Sequence, residues 1–517
     1  MEETERNLRE KIEQEAKNTL KKNMWEGYAN DILTGLQKNP GVQPDRPIWE
    51  LVQNARDVAY ENKKTKIVFI RKQDHFVFQH NGQPFTRTTL QSLILQTSSK
   101  VREDIIQVGQ YGTGFLTTHK FGLDFRLSGS LSLLGGLKFY NFSGRDFIIK
   151  RSAQDKVKLS DDLDATIAKT QQWGLDLNFL EDNPRRETIF EYQHNFNAER
   201  ENTKIAIKEA PKLVPYVLAL NKHIESISFI DEVEGAKEES FTFQNEEIYD
   251  NLENLRVYET TILHSQSGQK DKIISLFLLK SLRCLEEKTG ESKFTIILPF
   301  KKISEGLKVF NFDNSIPRLY LYLPLLGSKD WGGNFLFHSP SFTCDQDSRD
   351  SIMLRFNPQA EVHHDQINKD IIREASDALK KYLTYKYLNL TDVRFLCPIN
   401  FVKGKSDNET NQYYQELQKE WVSFFECLNL VEYEDGKTIP VKSIRVLSNE
   451  LYLACEQDVS LLDAIYNLLS KAVHLILPKK EELLFWSKVI NEWYVDNEAE
   501  NPVSYTHLRA HETAANL

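Results

Sequence analysis

Two short motifs in the N-terminal part of the chain place the strongest constraint on its fold. The first lies in residues 50–57, where Glu50, Asn54 and Asp57 are spaced at i, i+4 and i+7. On a helix, at ~100° per residue, these three side chains share one polar stripe. The opposite side is apolar and can pack on a sheet; it consists of Leu51, Val52, Ala55, Val58 and Ala59. The spacing predicts a helix that holds a carboxylate beside a carboxamide over a cleft.

The second motif, residues 109–115, is a glycine turn with the sequence GQYGTGF. Gly109, Gly112 and Gly114 allow backbone N–H groups to approach an anion, and a helix beginning near Phe115 would add its positive end. Taken alone, the second motif also fits an ordinary glycine turn, and the first fits an exposed polar face. Their order and spacing together favour a site for a phosphate-bearing ligand.

The residue types in the two motifs suit the hydrolysis of ATP. Mg²⁺ prefers hard oxygen ligands and keeps several waters, so the amide oxygen of Asn54 together with phosphate oxygens would suit it. Glu50 could act as the base for an attacking water. The sequence therefore predicts ATP and Mg²⁺ as ligands.

Length and composition are those of a globular chain with several domains. The sequence has 517 residues, of which 40% are hydrophobic and 27% charged. At about 150 residues per domain, this length predicts roughly three or four domains. The net charge is −10 and no segment is strongly basic, which argues against a nucleic-acid partner without excluding one.

Cysteine usage and hydropathy favour a cytoplasmic location. The five cysteines form no CxxC pair, as expected in a reducing compartment and not in a disulfide framework or a zinc site. The longest apolar run, residues 273–279, is too short to span a bilayer, and residues 1–22 lack the apolar core of an export signal. We expect a cytoplasmic protein with no membrane partner.

Hydrophobic periodicity and turn residues predict a coarse secondary structure. Helices are predicted at residues 1–38, from about 46, and at 86–95, 204–220 and 360–390. Strands are predicted at residues 66–70, 75–79, 147–149, 188–192, 224–229, 272–280, 294–299 and 319–323. The region 125–192 is expected to be strand-rich, and the polar residues 96–107 are expected to form a mobile segment before the glycine turn.

These elements predict an α+β protein. We expect an N-terminal domain in residues 1–210, an α/β middle domain in 211–400 and a partial helical C-terminal region in 401–502. Residues 503–517 lack apolar periodicity and resemble a translated sequencing adapter, so we expect them to be a non-native tail. A homodimer formed through a C-terminal region beyond this chain is a further expectation.

The two motifs together resemble those of the GHKL ATPase superfamily, which includes gyrase, the ninety-kilodalton heat-shock chaperone, histidine kinases and MutL. The first motif matches the family N-box, E-x-x-x-N-x-x-D, and residues 109–115 match its GxxGxGF box. Ser99 and Lys100, just before that box, are similar to the T-S-K segment of the MutL lid. Over about residues 20–210 the resemblance implies a Bergerat-type α/β sandwich, a mixed sheet covered by helices.

The resemblance also implies roles for individual residues. In the family, the Glu of the N-box is the general base, its Asn holds Mg²⁺, and the glycine box closes on the phosphates. Histidine kinases usually lack that Glu, so Glu50 favours a hydrolase over a phosphotransferase. The implied nucleotide contacts are Asn54, Asp57, Ser99, Lys100, Gly109, Gly112, Gly114 and Phe115, with Asn54 as the metal ligand.

The chain departs from the family pattern at the base-recognition segment. The family has D-x-G there, with an Asp that accepts a hydrogen bond from the adenine amine, whereas this chain has His80-Asn81-Gly82. A neutral imidazole can accept one hydrogen bond at its unprotonated nitrogen, so His80 is expected to face the base without the charge. An ordinary surface histidine in a turn is the alternative. Thr188 follows Glu187 where the family often has Gly-Thr, and is carried over as a base contact.

Residues 319–325 and 335–342 resemble the segment that follows the ATPase domain in sacsin-type proteins. Related ATPases extend an Arg or Lys from the second domain to the γ-phosphate, and Arg349 is the candidate here. Its acidic and amide neighbours make a local surface ion pair the competing interpretation.

The leading functional hypothesis is an ATP-hydrolysing conformational machine, chaperone-like or defence-related, in which nucleotide orders residues 96–107 and changes the contacts between domains. Its partner would be a protein client of unknown identity. Two alternatives stay open: a non-catalytic nucleotide-sensing scaffold, suggested by His80, and a DNA-acting ATPase of MutL type.

Overall fold

The computed structural model describes residues 2–38, 41–97, 114–282, 292–345, 350–356, 358–359, 361–401, 408–434, 437–471 and 476–494. The chain divides into two compact units. Unit 1 comprises Met1–Asn245 and Thr261–Ile274, and unit 2 comprises Glu246–Thr260 and Ser275–Leu517. Each unit combines helices with parallel and antiparallel strand pairs, which confirms the α+β class. The expected domain boundaries after residues 210 and 400 stay predictions.

Unit 1 contains six helices and eight complete strands among its described residues. The helices are α1 (Glu2–Gln37), α2 (Arg46–Asp57), α3 (Arg87–Leu95), α4 (Lys156–Gln172), α5 (Asn197–Glu209) and α6 (Val214–Leu220). The strands are β1 (Thr65–Arg71), β2 (His75–His80), β3 (Phe125–Leu133), β4 (Lys138–Phe142), β5 (Ile148–Ile149), β6 (Leu180–Glu181), β7 (Thr188–Gln193) and β8 (Ile224–Asp231). A 3-10 helix spans Gly114–Lys120.

The strands of unit 1 form a mixed sheet in the order β8-β1-β2-β7-β3-β4-β6. β1 pairs in parallel with β8 and antiparallel with β2, which pairs antiparallel with β7. β7 and β4 each pair antiparallel with β3, and β5 pairs with β3 off the main path. This order places β2 and β7, which come from distant parts of the chain, side by side in the middle of the sheet.

Aromatic rings form the packed core of this sheet. Phe69 on β1 stacks on Phe76 and Phe78 of β2 and on Phe229 of β8, with ring centroids 5.4–6.1 Å apart. All four side chains are buried. Burial of one such side chain stabilises the fold by about 1.5–3 kcal/mol, and each aromatic pair adds about 0.5–1.5 kcal/mol. The central strands are therefore a rigid base for the segments that pack on them.

The elements expected in residues 1–95 are confirmed. The first helix ends at Gln37, before the Asn-Pro-Gly break, and α2 begins at Arg46 with Pro47 in its first turn. Proline suits that position because the first N–H groups of a helix have no intrahelical partner. α3 begins after Thr86, whose hydroxyl accepts a hydrogen bond from the Thr89 N–H.

Two expectations for the rest of unit 1 are wrong in part. The region expected to be strand-rich contains the 17-residue helix α4, capped by Asp155 and buried along Leu159, Leu163 and Ile167. The single helix expected at 204–220 is two helices, which are separated by a 3-10 turn at Ala210–Leu213. Pro211 accounts for the break, because proline removes an N–H donor and disturbs the preceding turn.

Strands β9 (Lys237–Leu252) and β10 (Leu255–Gln266) are divided between the two units. The segment of β9 in unit 1 pairs antiparallel with β8. No element was expected there, because most side chains of β9 are exposed or half-buried and show no simple alternation.

Unit 2 contains the remaining elements. β11 (Lys272–Ser281) enters unit 2 at Ser275. The other strands of unit 2 are β12 (Thr295–Leu298), β13 (Phe300–Ile303), β14 (Gly306–Val309), β15 (Leu319–Leu321), β16 (Leu323–Pro324), β17 (Gly332–Gly333), β18 (Leu336–His338), β19 (Leu390–Thr391), β20 (Ile399–Asn400), β21 (Asn429–Glu434) and β22 (Lys437–Pro440). Its helices are α7 (His364–Lys386), α8 (Asn408–Glu426), α9 (Asn449–Gln457), α10 (Val459–Leu469) and α11 (Lys480–Trp493). The strands expected at 272–280 and 294–299 and the helix at 360–390 are confirmed, with shifted ends. The single strand expected at 319–323 is wrong in part, because the chain turns back at Tyr322 (φ 60°) and forms two short antiparallel strands.

The core of unit 2 is built around α7 and α8. Trp421 on α8 is almost fully buried and stacks between Phe335 and Phe425, with ring centroids 5.6 and 5.5 Å away. α7 contributes Ile372 and Leu379 to the same cluster. A smaller separate cluster forms around Tyr452 and Leu483 of the C-terminal helices.

The most apolar run of the sequence, residues 273–279, lies in strand β11. Phe277, Leu278 and Leu279 are fully buried there, so the run is a core strand. Among the helices that the structure describes, none has both the length and the apolar character needed to cross a bilayer.

The buried His119 of unit 1 predicts a loss of stability in acid. Burial lowers the pKa of His119 to about 3, with the positive charge of Arg151 as a smaller cause. In the unfolded chain a histidine titrates near 6.5, so between about pH 6.5 and 3 the unfolded chain binds a proton that the folded chain excludes. The free energy of unfolding should therefore decrease as the pH is lowered through that window, by at most about 1.4 kcal/mol per pH unit for this residue. His119→Phe retains an aromatic ring, and its thermal midpoint should fall less than that of wild type between pH 7 and pH 5.

The control is His363→Gln at an exposed position, which should leave the pH dependence of the midpoint unchanged. An equal fall of the midpoint in wild type and His119→Phe would contradict the prediction.

Candidate functional site

Helix α2 presents the first motif as a two-faced helix. The buried face consists of Pro47, Ile48, Trp49, Leu51, Val52, Ala55 and Arg56. Glu50 and Asn54 lie one turn apart on the other side and are half-buried. The helix ends at Asp57, so Val58 and Ala59, expected on its apolar side, belong to the chain that follows it.

The carboxylate of Glu50 is held between two segments. The guanidinium of Arg46, one turn earlier on α2, donates to Oε1 at 3.3 Å, and both side chains are largely buried (13% and 16% exposed). On the other side lies Gly114: a Cβ built on that glycine would be 2.8 Å from Glu50 Cδ and closer still to Oε2. The structure therefore brings a residue from each of the two motifs into direct contact.

Phe115 anchors the glycine segment to the sheet. Its ring is 91% buried and lies 5.9 Å from Phe125 on β3 and 6.1 Å from Phe190 on β7, measured between ring centroids. The helix expected near Phe115 is present as the 3-10 helix Gly114–Lys120, in which the Thr117 hydroxyl donates to the Gly114 carbonyl at 2.8 Å. Because the Phe115 ring packs on these two aromatic side chains of the sheet, Gly114 is held against α2.

His80 is the last residue of β2 and is 94% buried. It lies opposite Thr188, the first residue of β7, so the two expected base contacts are brought together. The imidazole lies 5.4 Å from the ring of Phe78 and 6.4 Å from that of Phe190. Burial lowers the pKa of His80 to about 4, which keeps the ring neutral near pH 7.

The acceptor nitrogen of His80 is already in use. The backbone N–H of Gly82 donates to Nδ1 at 3.1 Å. A neutral imidazole has one acceptor and one donor nitrogen, so Nε2 carries the proton. The expectation that His80 accepts a hydrogen bond from a base is therefore wrong for this arrangement, in which the ring has only an N–H donor left.

Gly82 joins this segment to the end of α2. A Cβ on Gly82 would lie 2.7 Å from Cγ2 and 2.8 Å from the carbonyl oxygen of Val58. The backbone N–H of Gln83 donates to that same carbonyl at 2.7 Å. This close approach requires a glycine, and the N–H of that glycine donates to His80 Nδ1.

Asp57 is expected to contact the nucleotide, but the structure buries its side chain. Its side chain is 4% exposed and lies 3.5 Å from the equally buried guanidinium of Arg56. Arg46 is a site residue that was not predicted, although its i, i+4 spacing from Glu50 is the signal that identifies it.

Five expected site residues fall outside the described part of the chain: Ser99, Lys100, Gly109, Gly112 and Arg349. The expected mobile segment 96–107 is described only at Gln96 and Thr97. The described part of the expected site therefore consists of Glu50, Asn54, His80, Gly82, Gly114, Phe115 and Thr188, together with the buried Asp57.

Within the described ranges, no group of three or more His, Cys, Asp or Glu side chains could hold a metal ion. The expected Mg²⁺ arrangement differs from such a cluster, because one amide oxygen, from Asn54, would be combined with phosphate oxygens and water. Asn54 lies one turn from Glu50 on α2 and is half-buried, and its role as a Mg²⁺ ligand stays a prediction.

Comparison with known protein families and with curated proteins adds no relative. No family model matches this chain. No curated protein matches it either.

The contact between Gly114 and Glu50 predicts a large effect of a single methyl group. Gly114→Ala should destabilise unit 1 by about 1–3 kcal/mol, because the new Cβ overlaps the carboxylate. In a Glu50→Ala background the same substitution should cost much less. A double-mutant cycle from urea unfolding measures this coupling.

The matched control is Gly27→Ala in α1, where a Cβ meets nothing within 4 Å. It should be neutral or stabilise by about 0.5–1 kcal/mol, since Ala favours a helix over Gly. Additive effects of the Gly114 and Glu50 substitutions would show that the two residues do not touch.

Proposed function

We propose that unit 1 is a nucleotide-binding domain of the GHKL type, with a Bergerat-type arrangement, and that it hydrolyses ATP with Mg²⁺. The observation that carries the proposal is the contact between Glu50 and Gly114. These residues belong to separate motifs, and a base must stand beside the phosphate-binding turn for hydrolysis. The mixed sheet of unit 1, with α2 and the 3-10 helix packed together, supports the proposed fold.

In the proposed reaction, Glu50 accepts a proton from a water whose oxygen attacks the γ-phosphorus. The bond from that phosphorus to the bridging oxygen breaks, and ADP and phosphate leave. Arg46 orients the carboxylate by donating to Oε1. Holding the base in this position lowers the activation free energy more than its basicity alone would.

The other residues hold the nucleotide. Asn54 would hold Mg²⁺, which, when bound, neutralises part of the triphosphate charge. Gly114 has no side chain, so its backbone can lie close to a phosphate, and Phe115 holds that backbone in place. His80 and Thr188, side by side at the ends of β2 and β7, would contact the base.

The wider role follows from the resemblance of the motifs. We propose that turnover drives a rearrangement of domains in a chaperone-like or defence-related cytoplasmic protein, acting on a protein client. The resemblance of residues 319–342 to sacsin-type proteins supports the chaperone-like form.

Glu50→Gln tests the mechanism. The amide keeps the size of the side chain but cannot accept the proton, so ATP binding should persist while phosphate release falls by at least about a hundredfold. Isothermal titration with Mg²⁺-ATP and a phosphate-release assay measure the two quantities. The control is Glu61→Gln at an exposed position after α2, which should leave both unchanged.

Phosphate release by Glu50→Gln at the wild-type rate would overturn the role of Glu50. Nucleotide binding without any phosphate release by wild type would favour the sensing scaffold instead.

A further inference from the structure

The hydrogen-bonding state of His80 restricts which base it can recognise. Its Nδ1 accepts the Gly82 N–H at 3.1 Å, so its Nε2 can only donate. Among the described residues, no protein partner of Nε2 is seen. A ligand atom that meets this nitrogen must therefore be an acceptor.

The surroundings hold the ring in this orientation. His80 lies at a strand end, paired through the backbone to Ile67 on one side and to Thr188 on the other. Phe78 and Phe190 lie against the ring. Rotating the imidazole to present Nδ1 would break the bond from Gly82 and leave a backbone N–H without its partner, which is unfavourable in a buried position.

Gly82 cannot easily move to release Nδ1. The Val58 carbonyl and side chain lie within 2.8 Å of the place where a Gly82 Cβ would be, and Gln83 donates to that carbonyl. The end of α2 thus keeps the Gly82 N–H aimed at His80. A second hydrogen bond, from the Gln83 side-chain amide to the Ala59 carbonyl at 2.8 Å, reinforces this segment.

Purine bases differ in the group attached to carbon 6. Adenine has an amino group there, which is a donor, whereas guanine and hypoxanthine have a carbonyl oxygen, which is an acceptor. An amino group opposite an imidazole N–H would place two donors together and leave both unsatisfied. A carbonyl oxygen at the same position would accept the hydrogen bond.

We propose that His80 is a specificity-determining residue that makes the site prefer a 6-oxopurine nucleoside triphosphate over ATP. This inference rests on the proposed function, because it takes the same nucleotide site and changes only the base. Burial lowers the pKa of His80 to about 4, so the ring is neutral near pH 7 and keeps Nδ1 as the acceptor of the Gly82 N–H.

The test compares ATP, GTP and inosine triphosphate on the full chain with Mg²⁺ at pH 7.5, by isothermal titration. Inosine triphosphate removes the influence of the 2-amino group of guanine, because hypoxanthine, like adenine, lacks it. Wild type should bind inosine triphosphate at least about tenfold more tightly than ATP, a ratio expected from one satisfied against one unsatisfied buried donor.

His80→Asp should reverse the order, because a carboxylate accepts from the adenine amine and repels the carbonyl oxygen. His75→Asn, at the other end of the same strand, is the matched control and should leave the ratio unchanged. The wild-type ratio decides the proposal even if His80→Asp does not fold.

Equal or tighter binding of ATP by wild type would overturn the specificity and leave the proposed site intact. An unchanged ratio in a folded His80→Asp would also overturn it. Failure of all three nucleotides to bind would instead overturn the proposed function, and the inference with it.

Discussion

The close approach of Gly114 to the carboxylate of Glu50 is the contact on which the arrangement of the site depends. It is possible because the glycine has no Cβ, and it is maintained because Phe115, the next residue, packs on Phe125 and Phe190 of the sheet. Arg46 holds the other carboxylate oxygen from the same helix. Helix, glycine and sheet therefore restrict one another, and the Glu50 carboxylate is held beside a backbone segment that has no side chain.

A second set of contacts ties the other end of the helix to the end of β2. The Val58 carbonyl accepts a hydrogen bond from the Gln83 N–H, and Gly82 packs on Val58. The Gly82 N–H donates to His80 Nδ1. As a result, the hydrogen-bonding character of His80 is decided by its neighbour. An imidazole that could accept or donate in isolation is left with one donor, the Nε2–H.

Local patterns predicted much of unit 1. The i, i+4, i+7 spacing located α2, and two short apolar runs joined by the polar residues 72–74 located β1 and β2, because both signals arise within a few neighbouring residues. α4 was missed although Leu159, Leu163 and Ile167 have helical spacing, since strands surround it in the sequence. β9 was missed for a different reason: a strand with few buried side chains has no alternation to read.

The sequence by itself determined that Glu50, Asn54 and Asp57 share one helix and that glycines precede Phe115, because helix periodicity and glycine chemistry are local properties. Only the tertiary structure decided that Gly114 meets Glu50, that Asp57 is buried beside Arg56, and that His80 keeps its proton on Nε2. The contacts of Gly114 and His80 depend on which distant or looped segments pack together. Arg56, by contrast, is the neighbour of Asp57 in the sequence, and packing decides only that the two are buried. Hydrogen-bond partners are assigned by that packing, and the residue type alone leaves them open.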